Sequence, residues 1–497
     1  MTNAISPTTT LAVIIGYFLF LIVISMITSR GANNQTFFTA NKKSPWYLVA
    51  FGMIGTSLSG VTFISIPGVV GAGGYNMNLS YMQMVMGYLV GYLVIATVLM
   101  PLYYKLNLTT IYGYLRQRFG VVSYKTGAGF FLISRIVGAS FRLFLVAIVL
   151  QSFVMNRLGV SFYATVAITI ILIWIYTYRG GIKTIVWTDT IQTTCMLGAV
   201  ILTIYAIGSS LDLSIGGLWG EISSAGYTKM FYFGDGWSDP NNFYKQFISG
   251  ALIAIVMTGL DQDMMQKNLT CKSLGDAQKN VFTFSFILIF ANLLFLILGG
   301  LLYVYSMKSG IAIPDRTDLM YPEIALNHLG SGIAIIFILG LIAAAYSSAD
   351  SALTALTTSF CIDFLNFERE ERSEEEKKVI RLKVHVAFLI VLFIVIVLFK
   401  LLNNDAIINQ LFRAAGYTYG PLLGLFTLGM FTKINVRDKW VWLVCIIAPL
   451  ITLFIDLNSE SLLGGFKFGS MLIALSGFLT FIGLALLSIN YKQSSLT

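Results

Sequence analysis

Long apolar segments separated by short polar ones run through nearly the whole chain of 497 residues. Each apolar segment has about the 20 residues that an α-helix needs to cross the hydrocarbon core of a bilayer. The pattern predicts thirteen membrane spans, at residues 10–28, 46–71, 79–104, 126–156, 160–178, 185–208, 246–265, 277–307, 329–360, 382–402, 406–432, 439–456 and 466–490. The first segment is too long and starts too late for the core of a signal peptide. We therefore expect an all-α polytopic membrane protein.

The lysines and arginines indicate how these spans are oriented. With the N-terminus outside, 22 of the 32 basic residues, Lys267 among them, fall in cytoplasmic segments, and seven fall outside. Cytoplasmic loops carry the excess of basic residues in membrane proteins. The distribution predicts an outer N-terminus and a cytoplasmic C-terminus in the cell inner (plasma) membrane. It also accounts for the net charge of +9 without a nucleic-acid partner.

Composition excludes several classes of protein. Only 11% of the residues are charged, against about 25% in soluble domains. The four cysteines lie in or at the ends of spans, so no disulfide framework is expected. We expect no soluble catalytic or signalling domain, which argues against an enzyme or a sensor. A channel needs a continuous hydrophilic pore, whereas polar residues here cluster near the middle of the spans.

Two predicted spans contain helix-breaking residues at matching places in the two halves of the chain. The second reads FGMIGTSLSGVTFISIPG, and the seventh contains Gly250 and Gly259 and ends in GLDQDMMQKN. Unwound backbone at membrane depth is tolerated where it lines a cavity. Paired interruptions indicate an inverted-repeat transporter with its binding site near the midplane. Ordinary packing of small residues between helices is the alternative for any one glycine.

Three arginines lie inside predicted spans, where charge is costly and usually functional. Arg142 falls near the middle of the fourth span, and Arg135 lies two turns nearer the cytoplasm on the same face. A guanidinium at the midplane can hold a substrate carboxylate with two parallel hydrogen bonds. A buried structural ion pair is the alternative for Arg142. Arg413, in the eleventh span, can equally be a gate residue or a structural partner.

Carboxylates and hydroxyls occur together at similar depth in the sixth and ninth spans. Asp189 lies in GGIKTIVWTDTIQ, and the ninth span reads AAAYSSADSALT. The serines of the ninth span share one helical face with Asp350 beside them; they are Ser347, Ser348 and Ser351. Such oxygen ligands suit a small alkali cation. Serines also pack helices together in membranes, but the two intramembrane aspartates favour an ion site.

At these residues the chain resembles the sodium/solute symporter family, which includes sodium-coupled sugar, proline and sialic acid carriers. The resemblance spans about residues 11–490, and its most specific segments are GGIKTIVWTDTIQ, QDMMQKNL, AAAYSSADS and AAGYTYGPLLG. It implies the fold of sodium-coupled amino acid transporters, a core of two five-helix inverted repeats. The repeats would occupy residues 46–208 and 246–432 of the single transporter domain 1–497. An extra helix at 10–28 precedes them, and two helices at 439–490 follow.

The resemblance also implies sodium sites. The family's principal site is formed by carbonyls of the broken helix and by an A-x-x-S-S motif. In this chain these positions are Gly55, Leu58, Ala344, Ser347 and Ser348. A second site, present in some members, maps to Asp189, Ser347 and Ser351. Two-sodium members have a further serine where this chain has Asp350, so we expect Asp189 and Asp350 to form one coupled acidic site that takes sodium, a proton or a paired partner.

Within the family, the sialic acid carriers match the substrate pocket best. Their T-x-S-x-x-T pattern corresponds to Ser57, Ser59 and Thr62, and their substrate arginine aligns with Arg142. Their glutamine in the third span is not matched in register, although Gln83 lies about one turn away.

The sequence therefore predicts a secondary active symporter that couples one or two sodium ions to a small carboxylated sugar. N-acetylneuraminate (sialic acid) is the favoured solute, and alternating access of a monomer in the lipid bilayer is the expected mechanism. A carrier of a neutral sugar or polyol, with Arg142 structural, is the alternative. A channel or a receptor is a more distant one.

Overall fold

The computed structural model describes residues 7–234, 236–368, 371–402, 407–464 and 466–488, with backbone alone for residues 7, 402 and 407–412. Helices dominate this part of the chain, and each predicted span coincides with one of them. We number these helices α1 to α13 in chain order. The first six are α1 (Pro7–Thr28), α2 (Trp46–Val69), α3 (Tyr81–Lys105), α4 (Val121–Phe153), α5 (Phe162–Thr177) and α6 (Ile182–Ser210).

The other seven helices begin with a bent one. They are α7 (Phe243–Gly259 and Gln262–Asn268), α8 (Leu274–Ser309), α9 (Ser331–Phe364), α10 (Glu374–Leu402), α11 (Ile407–Phe431), α12 (Val441–Leu457) and α13 (Leu472–Leu486). Shorter helices, such as Asn34–Thr39 and Ile215–Ser224, lie in the connections.

The prediction of thirteen spans is higher than the number that length and composition support. Among the described residues, ten helices are long and apolar enough to cross a membrane, and the bent α7 would be an eleventh. Helix α5 has only 16 residues, and α11 is not among the ten. The chain is an all-helical polytopic membrane protein with ten or eleven candidate spans.

Helix α2 is interrupted at Ser59, whose φ of 55° and ψ of 176° leave the helical region. A positive φ is unfavourable for a residue with a side chain and persists only where the surroundings impose it. Ser59 is buried within a helix that is itself almost completely covered by protein. The polar backbone released by the break therefore faces the interior of the bundle, where irregular backbone is tolerated.

Helix α7 is the second broken helix, and its two halves are bent by 69°. The break lies at Leu260 and Asp261, and Asp261 has an extended φ of −108°. Its carboxylate accepts the backbone N–H groups of Asp263 at 2.9 Å and Met264 at 3.3 Å. This N-cap satisfies donors that the break leaves without helical partners. The two interruptions predicted from glycine and serine content are thus present.

Helices α2, α6 and α9 pack together around the first break. The glycines of α2 permit this, since an added Cβ at Gly52 would lie 2.9 Å from the Asp189 Cβ and one at Gly55 would lie 2.3 Å from the Thr193 Oγ1. Such close approach between helices depends on small residues. These two glycines therefore bring the backbone of α2 against the polar side chains of α6.

A second glycine face joins α11 to α13. Gly416, Gly420 and Gly424 repeat every fourth residue, and an added Cβ at each would meet, in order, Leu472, Ser476 and Thr480 at 2.6 Å or less. Residues four apart lie on one side of a helix, so the glycines form one continuous stripe along α11.

Replacing Gly420 with alanine should lower the stability of the protein by about 1–3 kcal/mol, because the new methyl group overpacks a close helix contact. The added Cβ would lie 2.2 Å from the Cβ of Ser476. Thermal unfolding of purified protein in detergent measures the loss. Gly16→Ala in α1 is the matched control, since no described atom lies within 4 Å of its added Cβ. Equal melting temperatures for the two variants would contradict the prediction.

Candidate functional site

A cavity lies beside the break of α2, enclosed by α2, α3, α4, α7 and α8. The predicted substrate residues Ser57, Ser59, Thr62 and Arg142 all line it. Three tyrosines of α3 (Tyr81, Tyr88 and Tyr92) and Asn292 of α8 complete much of the remaining wall. The structure therefore brings the predicted hydroxyls and the predicted arginine to one place.

Arg142 is a buried cation, and two of its guanidinium nitrogens have no hydrogen-bond partner among the described residues. Its side chain is only 6% exposed, and its Nε and Nη1 atoms have no hydrogen-bond partner there. Buried polar groups in proteins are almost always satisfied, so an unsatisfied guanidinium beside a cavity indicates a ligand. The donors of arginine have a fixed fork that matches a carboxylate.

Arg135 lines the same cavity but is neutralised by the protein itself. Its guanidinium forms an ion pair with Asp263 and lies 3.7 Å from the carboxylate of Asp261. Asp261 also accepts a hydrogen bond of 2.5 Å from the Tyr419 hydroxyl of α11. Arg135 is thus paired with carboxylates at the α7 break, although its Nε also lacks a hydrogen-bond partner among the described residues. Arg142, in contrast, forms no ion pair with any described residue.

Gln83 is placed outside this cavity. Its Nε2 donates to the Asn241 carbonyl at 2.8 Å and to Gln246 Oε1 at 3.0 Å, and its Oε1 accepts from the Tyr232 N–H at 3.0 Å. These contacts hold the connection between α6 and α7. The amide that was predicted to touch the substrate is fully engaged in fixing this loop.

The predicted principal cation site lies where α2, α6 and α9 meet. Ser348 Oγ donates to the Thr56 carbonyl at 3.3 Å, and Ser347 Oγ lies 3.1 Å from Thr56 Oγ1. The backbone N–H of Gly55 donates to Thr193 Oγ1 at 3.0 Å. Leu58 and Ala344 are buried on the same two helices, α2 and α9. Hydroxyl and carbonyl oxygens are therefore concentrated at the contact between α2 and α9, one turn before the break at Ser59.

Asp189 belongs to the same cluster. Its Oδ1 accepts from Ser347 Oγ at 2.7 Å, and its Oδ2 accepts from Thr56 Oγ1 at 3.1 Å. Its Oδ2 also lies 2.5 Å from the Nζ atom of Lys267. The assignment of Lys267 to a cytoplasmic loop was wrong, because Lys267 lies on the second half of α7 and is only 1% exposed.

The other two predicted members of a second cation site point elsewhere. Asp350 accepts hydrogen bonds from the Tyr176 hydroxyl of α5 at 2.9 Å and from the Ser351 N–H at 2.5 Å. The hydroxyl of Ser351 donates to Asp263 of α7. Asp350 is within electrostatic reach of Asp189 and Lys267 without sharing a hydrogen bond with either. The four predicted residues therefore fall into two sets of hydrogen bonds, Asp189 with Ser347 and Asp350 with Ser351.

Arg413 was left open between a gate and a structural role. Its guanidinium lies 2.9 Å from Asp456 of α12, which also accepts a 2.5 Å hydrogen bond from the Tyr417 hydroxyl. The Arg413 side chain is 46% exposed and does not line the cavity. These contacts tie α11 to α12, which is a structural role.

Residues 37–437 match the family model "Sodium:solute symporter family". The chain belongs to this family. A member of the family is a sodium-coupled symporter of small solutes and not an enzyme.

Curated relatives and solved structures agree with this assignment. The symporter is 25% identical over 465 residues to the sodium/sialic acid symporter NanT of Aliivibrio fischeri. The aligned region covers 91% of this chain and 88% of NanT. It is also 25% identical over 439 residues to the sodium/sialic acid symporter SiaT of Proteus mirabilis, covering 85% and 84% of the two chains.

Structure comparison shows the fold. A substrate-bound outward-open structure of a Na+-coupled sialic acid symporter, described as revealing a novel Na+ site, matches with a TM-score of 0.82 at 21% identity, covering 97% of this chain and 98% of that one. The transporter Mhp1, in a closed conformation, matches with a TM-score of 0.55 at 14% identity, covering 92% and 96%. The fold predicted from the resemblance, that of sodium-coupled amino acid transporters, is confirmed.

Proposed function

We propose that this symporter imports a sugar acid, N-acetylneuraminate being the favoured solute, and that sodium entry drives the import. The observation that carries the proposal is the unsatisfied guanidinium of Arg142 at a cavity walled by hydroxyls. A carboxylate supplies the missing acceptors and the counter-charge together. Both named sialic acid carriers that resemble the chain support the same solute class.

Ser57, Ser59 and Thr62 suit the remainder of such a solute. Ser59 lies at the α2 break, Ser57 and Thr62 lie on either side of it, and all three line the same cavity as Arg142. Hydroxyl and amide groups of a sugar acid can bond these side chains while its carboxylate is held by the arginine. Asn292 and the tyrosines of α3 line the same cavity and supply further polar and aromatic contacts.

Sodium binds, in this proposal, at Gly55, Leu58, Ala344, Ser347 and Ser348. The cluster adjoins the break that also contributes to the solute cavity, so occupation of either site favours the same arrangement of α2. Ligands shift a conformational equilibrium only through differential affinity for its states. Sodium and solute together would stabilise closure of the outer side, after which the repeats open inward.

The proposed setting is the plasma membrane, with the N-terminus outside and the C-terminus in the cytoplasm, and with a monomer as the transport unit. The basic residues of the segment between α9 and α10 support this orientation.

Uptake into proteoliposomes tests the proposal. We expect labelled N-acetylneuraminate to accumulate under an inward sodium gradient and not in choline buffer, because the family couples transport to sodium. The same uptake assay should be run with a neutral hexose and with the sialic acid analogue whose carboxylate is replaced by an amide. We expect both to be carried at least about tenfold less well, which corresponds to about 1.4 kcal/mol of lost binding. If the protein transports the hexose efficiently and transports neither sialic acid nor its amide, the sugar-acid assignment is rejected.

A further inference from the structure

A buried lysine lies among the oxygens of the cation cluster. The Nζ atom of Lys267 is 2.5 Å from Asp189 Oδ2 and also donates a hydrogen bond to Thr56 Oγ1. The side chain is 1% exposed and Asp189 is fully buried. Buried charges persist when they are paired and hydrogen-bonded, and this ammonium has both kinds of partner. Lys267 and Asp189 therefore form a buried ion pair within the cluster.

The ammonium group closes a ring of polar groups. Thr56 Oγ1 lies 3.1 Å from Ser347 Oγ, and Ser347 Oγ donates to the other oxygen of Asp189 at 2.7 Å. Both oxygens of the Asp189 carboxylate are thus occupied, one by the lysine and one by the serine. Asp189 and Ser347 are two of the residues predicted to bind a second sodium ion. The Lys267 ammonium is already paired with the Asp189 carboxylate that a second sodium ion would need as a ligand.

The other two residues predicted to bind a second sodium ion, Asp350 and Ser351, are also engaged by protein groups. The Asp350 carboxylate is held by Tyr176 on α5 and by the Ser351 N–H, and the Ser351 hydroxyl is held by Asp263. Two unit cations a few ångströms apart in a poorly solvated interior repel strongly. The ammonium already balances the Asp189 carboxylate, so a sodium ion bound to that carboxylate would lie next to a second positive charge.

We propose that Lys267 is a tethered cation that takes the place of a second sodium ion, so that this symporter binds and couples one sodium ion per solute. The inference rests on the sodium coupling of the family and on the proposed principal site, and it does not depend on which solute is carried. The single sodium ion binds at the proposed principal site of Gly55, Leu58, Ala344, Ser347 and Ser348. The Ser347 oxygen can coordinate the ion there while its hydroxyl donates to Asp189.

Equilibrium binding of ²²Na+ to purified protein in detergent, without solute, counts the ions. We expect the wild type to bind one sodium ion at saturation. Lys267→Gln removes the charge and leaves Asp189 without a cation, so this variant should bind two. Lys308→Gln is the matched control, because it also removes a lysine paired with a carboxylate at 2.5 Å, that of Glu221, at the surface. The control should bind one.

Two sodium ions on the wild type, or one on Lys267→Gln, would overturn the proposal. If Lys267→Gln does not fold, the double variant Asp189→Asn with Lys267→Gln removes the ammonium and its partner together. The double variant should still bind one ion at the principal site, and a count of zero or two would overturn the proposal. A failure of the sugar-acid assignment would appear only in the uptake panel and would leave these counts unchanged.

Discussion

Replacing Arg142 with lysine should leave a folded, sodium-binding protein that has lost most of its affinity for sialic acid. Lysine keeps the positive charge but not the planar fork that binds both oxygens of a carboxylate. A hydrogen bond to a charged group contributes about 1.5–3 kcal/mol, and its loss weakens affinity about ten- to 150-fold. Solute binding by isothermal titration calorimetry in saturating sodium measures this change.

Two comparisons make the Arg142 experiment specific. Arg413→Lys changes an arginine whose partner is Asp456 and which lies outside the cavity, so its solute affinity should match that of the wild type. The amide analogue of sialic acid should be rejected by the wild type and bound about as weakly as the acid by Arg142→Lys. If Arg142→Lys binds the acid as tightly as the wild type does, then Arg142 is not the carboxylate ligand.

Replacing Ser348 with alanine should reduce sodium-driven uptake to about a tenth or less, since losing about 1.4 kcal/mol of ion binding lowers affinity tenfold. The Ser348 hydroxyl lies at the contact between α9 and the Thr56 carbonyl of the broken helix. Its removal takes one oxygen ligand from the proposed principal site. The sodium concentration that gives half-maximal uptake in proteoliposomes should rise correspondingly.

Ser285→Ala is the control for the Ser348 variant. Ser285 is also a buried membrane serine, but its hydroxyl bonds the Phe282 carbonyl of its own helix at 2.9 Å. We expect wild-type sodium dependence in that variant. Uptake that is equal in sodium and choline buffers and driven by a pH gradient alone would refute the principal site.

The sequence predicted the helices and both broken spans well because these features are local. About 20 consecutive apolar residues specify a membrane helix whatever its neighbours are, and glycine and serine loosen one wherever it packs. The break at Ser59 therefore lies within the segment from Gly52 to Thr62 that the sequence indicated. The number of crossings was predicted less well, because α5 has only 16 residues and α11 contains an arginine and other polar residues.

The partners of the buried charges could not be read from the sequence in the same way. Lys267 follows a polar run that resembles the end of a span, and only the 69° bend of α7 carries it back against α6. Asp263 and Lys267, four residues apart, share one face of the second half of α7, which is a signal that could have identified both. Gln83 and Asp350 depend on contacts with the α6–α7 connection and α5, which no local pattern encodes.

The glycine stripe between α11 and α13 has a mechanical consequence. Because no bulky side chains separate α11 from α13, the two helices pack closely and are expected to move together. Tyr419 of α11 in turn donates a hydrogen bond to Asp261 at the bend of α7. The contacts therefore extend from the outer surface of α13, where Phe478 is 62% exposed, to the bend of α7. A lipid or an antibody fragment that binds α13 would restrain movement at the bend of α7 without contacting the solute.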